Sequence, residues 1–303
     1  MTSSQELLAD WRQRGRTVEV GGHRVFVVDA DVAESVGDPL VVLHGFPTSS
    51  LDFYRVLPLL SQRRVVLHDH LGFGFSEKPE NYSYSLLEQA EVALQVWADL
   101  GLQSVHLLGH DYGTSVATEI LARRERGGTP VELRSVTLSN GSMLLHLARL
   151  RASQRLLRSP LGPVFQRLVR RGYFKRVMRR LWADRKRAHD LDLEAMWAAI
   201  RENDGHLRAA QISSYLGERR RFQERWIGAL RRLEVPLHLL WGRLDPVAVP
   251  AVAEALKSEA SRASLEWLEL GHYPMLEAPG VYAKGVAAFL DQVESSGGVD
   301  PVT

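Results

Sequence analysis

The sequence predicts an α/β fold: a mostly parallel sheet with helices on both faces and a helical insert. Two patterns carry that expectation. Short apolar runs at residues 40–43, 64–67, 104–108, 133–139, 236–242 and 265–270 alternate with helical stretches such as 85–100 and 114–126. Strand–helix alternation is how parallel sheets are built. Between 142 and 230 the strand signals stop and helical periodicity takes over. Residues 1–141 and 231–303 therefore read as the core, and 142–230 as a helical cap inserted into it.

Taken in order, residues 16–20 and 24–28 are two short strands around Gly21-Gly22, a hairpin signal. Residues 85–100 place Leu86, Ala90, Ala93, Leu94 and Trp97 on one side of an amphipathic helix. In the cap, Phe174, Val177, Met178, Leu181 and Trp182 follow the spacing of one apolar helix face, with Lys175, Arg176, Arg179 and Arg180 opposite. The leading expectation is a cap helix packed on the core; the alternative is a weak membrane-surface contact through this basic helix. Cap aromatics (Phe165, Phe174, Trp182, Trp197, Phe222) suit a small lipophilic substrate or the core.

A composition of 45% hydrophobic and 24% charged residues is that of an ordinary globular enzyme. The lack of cysteine excludes disulfides, zinc–thiolate centres and a thiol nucleophile. Residues 1–16 lack the apolar stretch of a secretory signal, and no apolar run approaches the ~18 residues of a membrane span. A cytoplasmic protein is expected. A net charge of +2 with no nucleic-acid motif argues against nucleic-acid binding. His68-Asp69-His70 invites a metal reading, but it closes a strand before Gly72; no metal and no cofactor are expected.

The run Gly109-His110-Asp111-Tyr112-Gly113 lies between an apolar strand and a helix. A sharp turn with a glycine two residues either side of its central residue is the nucleophile-elbow pattern. Here that residue is Asp111, not Ser. A carboxylate is ionised near pH 7 without a base to activate it, which leaves a histidine free to activate water. Such an elbow calls for an acid and then a histidine, each after a later strand. Leu244-Asp245-Pro246 and Gly271-His272-Tyr273-Pro274 supply Asp245 and His272 in that order. Upstream, His44-Gly45-Phe46-Pro47 ends another strand. The backbone N–H groups of Phe46 and Tyr112 are the expected oxyanion donors, since Pro47 has none.

At these residues, and at Gly72-Phe73-Gly74-Phe75-Ser76, the chain resembles the α/β-hydrolase superfamily, in the branch of epoxide hydrolases and haloalkane dehalogenases. More closely it resembles the group of the mesoderm-specific transcript protein and its bacterial relatives, through 43–50, 71–79, 138–141, 196–205 and 225–230. The resemblance spans nearly the whole chain and implies a mostly parallel eight-stranded sheet with a cap. Dehalogenases of that branch usually carry Asn at Phe46 and Trp at Tyr112, whose N–H groups hold the departing halide. Epoxide hydrolases usually place two cap tyrosines over the nucleophile. Tyr215 falls in the segment of the second, and Tyr173 is the nearest candidate for the first. The resemblance therefore implies an epoxide hydrolase. Asp111 is its nucleophile, His272 the base, Asp245 the acid orienting that base and Tyr215 the cap proton donor. Tyr173, Pro47 and His110 are expected beside substrate. The alternatives are a dehalogenase, another ester or lactone hydrolase, or a non-catalytic membrane-associated protein.

Overall fold

The computed structural model, which describes residues 3–31, 35–260 and 262–297, holds one eight-stranded sheet among those residues. Its strands are β1 (Gly15–Val20), β2 (His23–Ala30), β3 (Leu40–Leu43), β4 (Val65–His68), β5 (Ser104–His110), β6 (Glu132–Ser139), β7 (Leu237–Gly242) and β8 (Ala263–Leu268). Their order is β1-β2-β4-β3-β5-β6-β7-β8. β2 pairs antiparallel with both β1 and β4, and the remaining pairs are parallel. The central strands β3, β4 and β7 are buried along their whole length, as expected where helices cover both faces.

The helices are α1 (Ser4–Arg14), α2 (Leu86–Asp99), α3 (Tyr112–Arg124), α4 (Ala152–Leu157), α5 (Gly162–Leu168), α6 (Arg171–Arg179), α7 (Asp190–Arg201), α8 (Ala209–Ile212), α9 (Tyr215–Arg221), α10 (Gln223–Arg231), α11 (Pro250–Glu259), α12 (Pro274–Glu277) and α13 (Pro279–Gly297). Trp97 of α2, Ile120 of α3, Trp226 of α10 and Leu256 of α11 join one buried cluster. Trp11 of α1 and Tyr282, Val286 and Phe289 of α13 join the other.

Three elements differ from expectation. Helix α1 lies in a stretch read only as lacking a secretory signal. Its start is fixed by a capping box between Ser3 and Glu6, and Leu7 and Trp11 are the side chains it buries in the core. Strand β8 runs two residues earlier than the apolar run suggests. Leu270 is buried beyond the strand end, where its carbonyl accepts from Leu244 N–H (3.0 Å). The inserted helices also rejoin the core before residue 230. In α10, Arg225 and Trp226 donate to buried Glu119 of α3 (2.9 Å each). Burial alone would raise the Glu119 carboxyl, but Arg225, Trp226 and Arg123 hold it below its ordinary value.

Candidate active site

Strand β5 delivers Asp111 to the N-terminus of α3 with φ 45° and ψ −103°. Positive φ in a non-glycine residue costs of order 1–3 kcal/mol and persists where surrounding structure enforces it. Here the enforcement is steric. A Cβ on Gly113 would lie 2.1 Å from the Leu43 carbonyl oxygen of β3, so only glycine lets α3 start this close to the sheet. The turn lifts the Asp111 carboxylate off the strand end, where Phe46 N–H donates to its Oδ2 (3.0 Å). Tyr112 is the first residue of α3, and the first N–H groups of a helix have no intrahelical partner.

Strand β7 leads to Asp245, whose carboxylate is held by four donors. Val247 N–H and Ala248 N–H donate to Oδ1 (2.7 and 3.0 Å), and Asn140 Nδ2 donates to Oδ2 (2.7 Å). His272 Nδ1 shares Oδ2 at 2.6 Å. Asn140 itself stands at φ 49° at the end of β6, and its Oδ1 accepts from Gly242 N–H (3.1 Å). Burial would raise Asp245, but the charge and hydrogen bond of His272, with Asn140 and Val247 N–H, hold it below the usual carboxylate range. Burial would lower His272. The Asp245 charge and hydrogen bond, reinforced by the Asp111 charge, outweigh that and raise it above ordinary imidazole. The ring is oriented by Nδ1, which leaves Nε2 to handle a proton.

The histidine loop is tied to the cap. His272 N–H donates to the Leu181 carbonyl (2.8 Å). The Glu277 carboxylate accepts from Gly271 N–H (2.8 Å), Asp184 N–H (2.9 Å) and Ala183 N–H (3.2 Å).

Asp111, His272, Phe46 and Pro47 line a cavity of about 130 Å³ beneath the cap. Its roof includes Phe174, Val177, Met178 and Leu181, the apolar face read from the sequence, together with Trp197. That face therefore points inward. Tyr173 lines the cavity and is 41% exposed, so it stands at the mouth.

Two predicted side chains, His110 and Tyr215, stand elsewhere. His110, expected beside substrate, is fully buried off the cavity with Nε2 on the His272 carbonyl oxygen (2.8 Å), so it braces the histidine loop. The Tyr112 ring is sealed against Phe73 and Tyr215. Tyr215, expected over the nucleophile, is fully buried behind the cavity wall, and its hydroxyl accepts from Gln154 Nε2 (3.3 Å), a lining residue. Its packing against Phe46 (ring centroids 5.6 Å) holds it there. Burial, then the Asp111 charge, raise the Tyr215 hydroxyl far above its ordinary value and keep it protonated. Asp69 spends its carboxylate on Ser50 N–H (2.8 Å) and Phe75 N–H (2.7 Å), a structural turn.

Sequence reasoning missed Arg219. This fully buried side chain lies 3.7 Å from Asp111 Oδ1, and its Nη2 donates to the Asp111 carbonyl (3.0 Å). Its Nε donates to Ser115 Oγ (2.8 Å), another of its nitrogens donates to Ser142 Oγ, and it stacks on Tyr215 at 4.6 Å. The guanidinium thus places positive charge behind the nucleophile. The available signal was helical spacing, since Arg219 follows Tyr215 by one turn on the same face. Asn140 was also missed.

A family model described as alpha/beta hydrolase fold matches residues 38–279. The chain is 43% identical over 284 residues to "Putative hydrolase LipZ" of Mycobacterium tuberculosis, covering 93% of this chain and 97% of that one. It is 36% identical over 297 residues to the mesoderm-specific transcript protein of Mus musculus, covering 94% and 88%. Among solved structures, haloalkane dehalogenase DbeA from Bradyrhizobium elkani USDA94 superposes with a TM-score of 0.77 at 20% identity, covering 93% and 99%; this is a likeness of fold.

Proposed function

The chain belongs to the α/β-hydrolase family, and from that premise we propose that this hydrolase opens lipophilic epoxides to vicinal diols through an ester on Asp111. The observation that carries the reading is the pairing of an ionisable carboxylate at the elbow with a buried His272–Asp245 couple, both facing one apolar cavity. A carboxylate nucleophile gives an alkyl ester only with an electrophilic sp³ carbon, and such an ester needs an independently activated water.

In the first step an Asp111 oxygen attacks an epoxide carbon and the ring C–O bond breaks. The alkoxide stays tethered and takes a proton from water in the cavity, leaving hydroxide. In the second step His272 Nε2 takes a proton from water, and the hydroxide attacks the Asp111 carboxyl carbon. The oxyanion rests on the N–H groups of Phe46 and Tyr112. The bond from that carbon to the diol oxygen breaks, and the imidazolium returns its proton to the departing oxygen. The new Asp111 carboxyl gives its proton to the hydroxide left by the first step, and the sum is epoxide plus water to diol.

Halide release is disfavoured by two features. Phe46 has no side-chain donor, and the Tyr112 ring is sealed in the core. The test is a paired panel. Styrene oxide and aliphatic epoxides are assayed for diol, and chloro- and bromoalkanes for halide. Diol without halide, abolished by Asp111→Ala, is expected. Halide release, or no diol from any epoxide, would overturn the reading.

A further inference from the structure

A second apolar face is left on the cap, and it points outward. Leu161, Val164 and Leu168 are 63%, 57% and 69% exposed, and Tyr173 at the cavity mouth meets Phe165 of the same helix (ring centroids 6.0 Å). Spacings of three and four put Leu161, Val164 and Leu168 on one side of α5. Phe165, on the flank of that side, and Gln166, on the opposite side of the helix, line the cavity. Helix α5 is therefore a wall: one side lines the reaction chamber and the other is a bare apolar surface.

The chain segment that carries that bare face has charges of one sign. Residues 141–183 contain eleven Lys and Arg and no Asp or Glu, in a chain whose net charge is only +2. Arg155, Arg158, Arg167 and Arg170 are exposed. Among the described residues no carboxylate pairs with them; the ion pairs of the neighbouring basic helix α6 fall instead on Arg171, Lys175 and Arg179. Exposed Leu and Val flanked by unpaired arginines complement an anionic interface with an apolar interior, where headgroups meet the cations and acyl chains meet the apolar side chains.

We propose that the α5 face docks the cap onto an anionic lipid bilayer, with Leu161, Val164 and Leu168 in the acyl boundary and Arg158, Arg167 and Arg170 among the headgroups. Docking would set the mouth at Tyr173 against the lipid, so that a lipophilic substrate could enter without crossing water. The docking does not depend on the chemistry at Asp111.

The test is sedimentation of the full chain with phosphatidylcholine vesicles, with and without phosphatidylglycerol, at low and high salt. Binding to the anionic vesicles, weakened by salt and poor with phosphatidylcholine alone, is expected. Each basic residue at such a surface contributes about five-fold in affinity, so Arg167→Gln with Arg170→Gln should weaken binding about 30-fold. Val164→Glu with Leu168→Glu should remove it while the circular dichroism and Tm stay those of the parent. Asp111→Ala should bind as the parent does, which separates a failure of docking from a failure of the proposed reaction. No binding to anionic vesicles at low salt would overturn the proposal. So would binding unchanged in both double variants, or a self-association that Val164→Glu with Leu168→Glu dissolves, which would assign the face to a second copy of the chain.

Discussion

Replacing Asp245 with Asn removes one charge and leaves the shape nearly intact, so its effect follows from the four donors around that carboxylate. The amide has two orientations. If its NH2 takes the Oδ1 position, it meets Val247 N–H and Ala248 N–H, two buried donor–donor conflicts worth about 1–3 kcal/mol each. If its NH2 takes the Oδ2 position, it keeps both backbone bonds and conflicts only with Asn140 Nδ2. The second orientation is favoured, and there the amide donates to His272 Nδ1. The histidine proton then moves to Nε2, and the ring cannot accept a proton from water. Loss of the correct tautomer costs a His–Asp couple about 10⁴-fold, or about 5.5 kcal/mol. Asp111 remains competent to attack, so the ester should accumulate. Single-turnover kinetics with styrene oxide should show ester formation near the parent rate and hydrolysis about 10⁴-fold slower. Intact-protein mass should rise by one substrate. Turnover within tenfold of the parent would refute the role given to Asp245. Lost turnover without an adduct would mean that the alkylation step is the one damaged.

Three further outcomes can be checked. His272 should titrate above the ordinary imidazole value by histidine NMR, and Asp111→Asn, which mimics the neutral ester, should lower it, because the Asp111 charge is one of its raising causes; an unchanged titration would contradict that coupling. The sign matters: the base is active when neutral, so activity is lost as pH falls through the His272 value, and esterification frees the base for the step that needs it. Arg219→Gln should lower kcat/KM about 10–100-fold, the scale of one hydrogen bond to a charged group, with Arg219→Lys recovering part of it; equal loss in both would assign Arg219 a packing role. Gly113→Ala should destabilise the fold by about 3 kcal/mol or more in denaturant titration, since its Cβ would meet backbone that cannot swing aside.

The parts of the site legible in the sequence are those whose cause is local. Gly109 and Gly113 announce the elbow because a tight turn needs them within a few residues of Asp111. Asp245 and His272 are legible because parallel strands deliver their ends to one edge. Arg219 is signalled only by its one-turn spacing from Tyr215, because within Glu218-Arg219-Arg220-Arg221 composition does not distinguish the buried arginine from its neighbours. Tyr215 fell in the expected segment, yet its ring turns behind Gln154, and a side chain's direction is set by contacts distant in sequence. Helix α1 was missed because its packing rests on Leu7 and Trp11 within an otherwise polar stretch. The outward side of α5 escaped notice because Leu161, Val164 and Leu168 alternate with residues that face the cavity.

The bonds from Leu181, Ala183 and Asp184 to the His272 loop bear on how such proteins can diversify. A cap is commonly treated as an exchangeable module that sets specificity above a constant engine. Here the segment 181–184 belongs to the insert in sequence but to the base in mechanics, through the Leu181 carbonyl and Glu277. A chimera that takes its cap from one parent and its His272 loop from another inherits mismatched halves of one hinge. Recombination within the family should therefore succeed where 181–184 and 271–277 come from the same ancestor, and new specificities should arise more readily by substitution in α4–α7 than by wholesale replacement.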